Sequence, residues 1–201
     1  SNNTAVGFLA ARNNTTGLYN TALGRTSLYS NITGNCNTAV GFDSQRSNQG
    51  GSNNTSLGFY SLFSNTASSN TAVGFCALRS NTTGVYNTAI GVNSLVCTTL
   101  GTSNTSVGYS SLRNNTTGAQ NTAVGYRALR DNIVGTNNTA VGVNSLLLNT
   151  ASNNTAVGTY ALRCNTTGAY NTSVGASSLR FNTTGTLNTA VGVNALYCNT
   201  T

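Results

Sequence analysis

The apolar residues of this chain recur at fixed intervals set by a repeat. The five-residue motif Asn-Thr-(Ala/Ser)-(Val/Leu/Ile)-Gly begins at Asn3, Asn20, Asn37, Asn54, Asn70, Asn87, Asn104, Asn121, Asn138, Asn154, Asn171 and Asn188. The step is 17 residues nine times and 16 residues twice. Numbered from that Asn, positions 1, 2 and 5 are Asn, Thr and Gly in all twelve copies, and position 4 is always a branched aliphatic. Position 8 is always Ala or Ser. Position 9 is Leu in ten copies, with Ala11 and Gln45 the exceptions, and position 12 is Asn in eleven, with Thr98 the exception. Two apolar columns therefore stand five residues apart in a background of Asn, Thr, Ser and Gly.

Helical repeats need two helices and about 33 residues or more, and a background this rich in Asn, Thr, Ser and Gly has poor helix propensity. Antiparallel hairpins favour Asn-Gly turns, yet the chain has no Asn-Gly dipeptide despite its 33 Asn and 22 Gly. The pattern predicts an all-β fold, a parallel β-solenoid (β-roll or β-helix) of twelve stacked coils with one repeat per coil. Equivalent side chains then stack in ladders about 4.8 Å apart, which gives a rod of roughly 58 Å. The core is thin, so stability has to come from stacking between neighbours.

The columns at positions 4 and 9 are the expected inward ladders. Their spacing is odd, so one strand cannot point both inward; a bend is expected at Gly of position 5 and another at Gly of position 15. Thr at position 2 shares parity with position 4 and is expected to face inward with it. Asn at positions 1 and 12 is expected at turns, with its amides stacked in ladders. The two 16-residue repeats read Asn65-Thr-Ala-Ser-Ser and Asn149-Thr-Ala-Ser-Asn and lie 84 residues apart, which suggests duplication in blocks of five. Residues 1–201 read as a single array with no divergent capping repeat. No start Met, signal segment or long apolar run is present, so the stretch reads as a mature product or an excerpt of a longer array.

Composition excludes more than it proves. Charged residues make up only 5% of the chain, and there is no His, Lys or Glu. Without a general base near neutral pH, and with Asp43 and Asp131 distant in the array, the chain reads as not an enzyme. No cofactor is expected beyond covalent N-glycans, and no metal site, because there is no His and no Cys-x-x-Cys. The five cysteines, Cys36, Cys76, Cys97, Cys164 and Cys198, are an odd number. None of those sharing position 11 lies in adjacent coils, and a disulfide needs Cα atoms within about 7 Å, so they read as small, partly buried residues, or as bonds between chains.

Segments such as Asn121-Thr-Ala-Val-Gly-Tyr-Arg-Ala-Leu and Asn70-Thr-Ala-Val-Gly-Phe-Cys-Ala-Leu resemble the short-repeat regions of phage and bacterial tail-fibre-type proteins. More distantly they are similar to the β-roll heads of trimeric autotransporter adhesins. The resemblance runs over 1–201. It implies a spacer or adhesive shaft outside the cell or on a cell or virion surface. Copies of the chain are the implied partners, assembled end to end or laterally, a trimer included.

Three surface features carry the remaining functional expectations. Seven of the nine arginines fall at position 10: Arg12, Arg46, Arg79, Arg113, Arg130, Arg163 and Arg180, interleaved with Tyr29, Phe63 and Tyr197. Such a stripe suits a glycan, a cell-surface ligand or a neighbouring filament, or is a solvated edge that resists aggregation; nucleic acid is disfavoured. Asn-x-Thr acceptors recur at position 12, at Asn14, Asn31, Asn81, Asn115, Asn165, Asn182 and Asn199, and a turn there would project a glycan outward. Nine further acceptors, Asn2, Asn53, Asn137 and Asn153 among them, lie at other phases. The Thr columns raise ice binding as a third class of function, since flat Thr arrays on β-solenoids occur in antifreeze proteins. The leading expectation is a structural, fibre-forming extracellular protein; an adhesive or receptor-binding fibre is the alternative.

Overall fold

The computed structural model of the chain describes residues 2–201. Twelve strands of three residues, from β1 (Thr4–Val6) to β12 (Thr189–Val191), form one parallel sheet in chain order. Each pairs position for position with the next, so Thr4 faces Thr21 and Ala5 faces Ala22. The register holds through both short coils, where Thr55 faces Thr71 and Thr139 faces Thr155. The expected β-solenoid is the fold.

Strand geometry covers only positions 2–4, but axial bonding continues around the coil. In coil 2 the Leu28 N–H donates forward to the Ser44 carbonyl at 2.9 Å, while the Thr26 N–H donates back to the Phe8 carbonyl at 2.9 Å. These reversals of direction need unusual backbone. Positions 7, 9 and 17 are left-handed throughout, as in Thr26, Leu28 and Cys36 with φ of 55°, 52° and 56°. A left-handed L-residue costs roughly 1–2 kcal/mol, and β-branched side chains fit there worst. Thr26 is the sole Val, Ile or Thr in those three columns.

The inside of the coil differs from the sequence expectation. The central strand residue, position 3, points inward: Ala22, Ala39, Ala72 and their equivalents in coils 2–11 are fully buried, while Ala5 in the first coil is exposed. The aliphatics at position 4 point outward with Thr of position 2; Leu23 is 47% exposed and Ile90 40%. Position 9 behaves as expected, with Leu28, Leu62 and Leu78 fully buried. The reason is width: one Leu per coil fills the cavity, so the opposite wall admits only a small residue. Where position 3 is Ser, a Ser stands at position 8 of the same coil, and Ser106–Ser111 and Ser173–Ser178 bond hydroxyl to hydroxyl across the core.

The asparagines form the expected amide ladders, but they do so inside the coil. At position 1 the Nδ2 donates, in the 17-residue coils through coil 11, to the carbonyl of position 15 in its own coil, as Asn20 does to Gly34 at 2.8 Å. Its Oδ1 accepts the backbone N–H of the next coil's Asn, as Asn20 does from Asn37 at 2.9 Å. The links run on through the short coils, where Asn70 donates to Asn54 and Asn154 to Asn138, both at 2.9 Å. The amide of position 12 reaches the same carbonyl from the other side, Asn31 to Gly34 at 3.0 Å, and the preceding Asn14 Oδ1 at 2.6 Å. Two amides thus share one carbonyl in most coils, satisfying both of its lone pairs; in coil 6, where position 12 is Thr98, Asn87 alone reaches the Gly101 carbonyl.

The two glycine columns have different causes. Gly at position 5 makes the expected bend, with φ of 134° at Gly125. Gly at position 15 is required by close approach instead: a Cβ on Gly101 would lie 2.6 Å from the Gly118 carbonyl oxygen and 2.8 Å from Asn115 Nδ2. In the short coils one residue after position 13 is missing. Ala67 and Ala151 then present the accepting carbonyl, which takes Asn54 and Asn138 Nδ2 at 2.8 Å each. The second amide column breaks where the repeat departs from consensus. Asn81 Oδ1, facing Thr98, has no hydrogen-bond partner, and neither has Asn132 Oδ1, facing the short coil at Asn149.

Candidate functional site

The glycosylation acceptors expected at position 12 are placed inside the coil. Asn31, Asn81, Asn115, Asn165 and Asn182 are fully buried, and Asn14 and Asn199 in the outermost coils are half-buried. Their Nδ2 atoms, the atoms a glycan would occupy, already donate to backbone and side-chain oxygens, as in Asn165 to Asn149 Oδ1 at 2.7 Å and to Gly168 at 2.8 Å. The outward projection expected of this ladder is therefore corrected, because the fold uses these amides as interior spacers. The acceptors whose side chains do face out include Asn53 and Asn137, both at position 17.

The arginines of position 10 do form one edge, and the rings interleave with them. The Arg46 guanidinium lies between Tyr29 at 5.9 Å and Phe63 at 5.8 Å. Arg12 also rests on Tyr29 at 5.9 Å, Arg79 on Tyr60 at 5.2 Å, and Arg163 on Tyr160 at 5.8 Å. Arg180 is surrounded by Tyr160, Phe181 and Tyr197 at 4.9, 5.4 and 5.7 Å. Each such contact contributes about 0.5–1 kcal/mol at an exposed site. Most of this stripe therefore serves the packing of successive coils. Two arginines have carboxylate partners: Arg46 stands 3.6 Å from Asp43, and Arg130 is 2.6 Å from Asp131. The hydrogen bond to Asp131 raises the Arg130 pKa, so that guanidinium stays charged.

The arrangement changes in coils 6–8. Position 7 is Tyr only in coils 4 and 10, at Tyr60 and Tyr160; in coils 6–8 it carries Asn93, Ser110 and Arg127. A notch of about 310 Å³ lies there, lined by Tyr109, Ser110, Arg113, Arg127, Arg130 and Asp131, and by Asn93 and Asn114. Arg127 escapes a reading that follows one column, because it belongs to position 7. The signal was its being the sole Arg in that column.

The second surface feature is the outer face of the sheet. Thr of position 2 and the aliphatic of position 4 line it in file, and the neighbouring column at position 6 is aromatic in two runs. Phe42, Phe59 and Phe75 stack at 5.0 and 5.5 Å between centroids, and Tyr109 stacks on Tyr126 at 5.4 Å. Arg25 interrupts the first run between Phe8 and Phe42, at 5.9 and 5.4 Å.

Among the described residues no three His, Cys, Asp or Glu side chains come together as metal ligands, and no helix is long and apolar enough to cross a membrane. All five cysteines are free thiols. Burial pushes the Cys76 thiol pKa up, with Arg79 partly opposing it. Set against protein-family models, characterised proteins and solved structures, the chain gives no match.

Proposed function

We propose that this chain is a structural shaft, a rod-like segment of an extracellular or surface fibre. The observation that carries the reading is the unbroken column of position-1 asparagines. It links every coil to the next, through both short coils, by a buried amide bonded in two directions. Such a column couples rise along the axis to covalent turns around it, which is the geometry a tension-bearing spacer needs. Self-association, end to end or side by side and with a trimer as one form, belongs to this proposal, as does a setting outside the cell. Electron microscopy of the purified chain tests it. Straight particles with a repeat near 4.8 Å along their length are expected, and compact round particles would sink the reading.

A second reading, ice binding, gains from one observation. The Thr and aliphatic side chains of positions 2 and 4 stand together on a regular outer face, where Thr55 and Leu57 are both exposed. Thermal hysteresis in a cooled solution decides it. A melting and freezing gap that vanishes when Thr71, Thr88 and Thr105 are replaced by Lys would move ice binding ahead of the shaft.

A further inference from the structure

In a chain whose coils are near copies, the informative place is where the copies differ on the surface. One such departure is the notch in coils 6–8. Along the rest of the edge each position-10 guanidinium has at least one ring against it, from the single Tyr29 beside Arg12 to the three rings around Arg180. Here Asn93 and Ser110 supply no ring of the kind that Tyr60 and Tyr160 supply to Arg79 and Arg163, and Arg113 and Arg130 line a notch with no aromatic cover.

Charge in the notch is unbalanced. Three arginines line it against a single carboxylate. Asp131 is already engaged: Arg130 meets it through Nε at 2.8 Å and Nη2 at 2.6 Å, and Asn114 Nδ2 donates to it at 2.9 Å. Arg113 and Arg127 are left without a carboxylate partner. Arg127 is held in place by the Tyr126 ring, 4.9 Å from its guanidinium, and Tyr126 stacks on Tyr109. Arg127 and Arg130 are therefore held by neighbouring side chains before any ligand arrives, which lowers the cost of binding.

We propose that this notch binds a carboxylated sugar, a residue of the uronic-acid class within an acidic polysaccharide. The planar guanidinium fork matches a carboxylate with two parallel hydrogen bonds. Tyr109, one face of whose ring is covered by Tyr126, lines the notch and offers apolar contact to the C–H side of a pyranose, and Ser110, Asn93 and Asn114 offer hydroxyl and amide groups to its alcohols. The volume lies at the lower end of small-molecule sites, about 300–1,000 Å³, which suits one sugar residue. A neutral sugar would leave both free cations unused; an inorganic anion would leave the ring and amides unused. The site goes beyond the shaft and does not depend on it.

Titration of the intact chain with sodium glucuronate, glucose and inorganic phosphate, followed by amide chemical shifts, tests the proposal. Saturable shifts at Ser110, Arg113, Asn114 and Arg127 with glucuronate are expected, with weaker binding of phosphate and none of glucose. Replacing both free cations, Arg113→Gln with Arg127→Gln, should weaken glucuronate by about tenfold or more, while Arg46→Gln leaves it unchanged. Retained amide shifts in the distant coils show that each variant is folded. Absence of saturable shifts at these four amides overturns the site. Undiminished binding by the double variant, or equal loss in Arg46→Gln, does the same. Phosphate binding as tightly as glucuronate overturns the sugar assignment.

Discussion

Asn165 lies wholly inside coil 10, and its amide has three partners. Nδ2 donates to Asn149 Oδ1 at 2.7 Å and to the Gly168 carbonyl at 2.8 Å, and Oδ1 accepts from Asn182 Nδ2 at 2.9 Å. Alanine removes all three bonds. It does not strand the partners: Asn154 Nδ2 still reaches Gly168 at 2.8 Å and Asn149 at 3.2 Å, and Asn182 still reaches Gly185 at 3.0 Å. The cost is then three net hydrogen bonds at about 1 kcal/mol each, so about 3 kcal/mol, with little added penalty for orphaned groups. Solenoids need not unfold in one step, so native-state amide exchange is the suitable assay. Protection of the Leu162, Cys164 and Thr166 amides, which bond to coil 11, should fall by about a hundredfold. Protection in coils 1–4 should not change. Alanine at Asn13, which is exposed, should alter its own coil by less than about 0.5 kcal/mol. A loss at Asn165 below about 1 kcal/mol, or one no larger than at Asn13, would refute the interior role of this column.

Three further outcomes follow from the same geometry. Gln45 occupies the Leu position with no exposure, and its Oε1 is buried without a partner although Nε2 bonds Thr38 and Ser56 at 2.9 Å each. Gln45→Leu should stabilise coil 3 by about 1–2 kcal/mol, and faster amide exchange in that coil would show that its hydrogen bonds outweigh the orphaned oxygen. Because burial raises the Cys76 pKa, less of that thiol is ionised at a given pH below it; at pH 8 a maleimide should label exposed Cys36 well before Cys76, and the gap should narrow as pH rises. Expressed in a host that attaches N-glycans, the chain should carry them at Asn53 and Asn137, as read by mass spectrometry of peptides, and glycan at Asn165 in folded material would contradict its burial.

The repeat made the architecture legible because a parallel coil is the one fold in which a 17-residue spacing turns sequence columns into spatial ladders. It did not say which face of the strand is inside. Parity relates positions 2, 3 and 4 to one another but leaves the sign open, and the usual preference for burying the aliphatic gave the wrong one. Side-chain size carried the answer. Position 3 is never larger than Ser, whereas position 4 varies among Val, Leu and Ile, and a cavity already filled by Leu28 or Leu62 demands constancy of volume on its opposite wall. The same logic separates the asparagines. A turn exposed to solvent would accept Asp, Ser or Gly, but position 1 is Asn in every copy, because only a neutral amide can donate to a buried carbonyl and accept from a buried N–H at once. The left-handed columns were written as a lack, since positions 7, 9 and 17 hold no Val or Ile. The notch was the least legible part. Its residues come from positions 6, 7, 10 and 11, which converge only once the coil turns between them. A binding site on such a rod is therefore coded by the lateral neighbourhood of several columns, and reading any single column, however regular, passes over it.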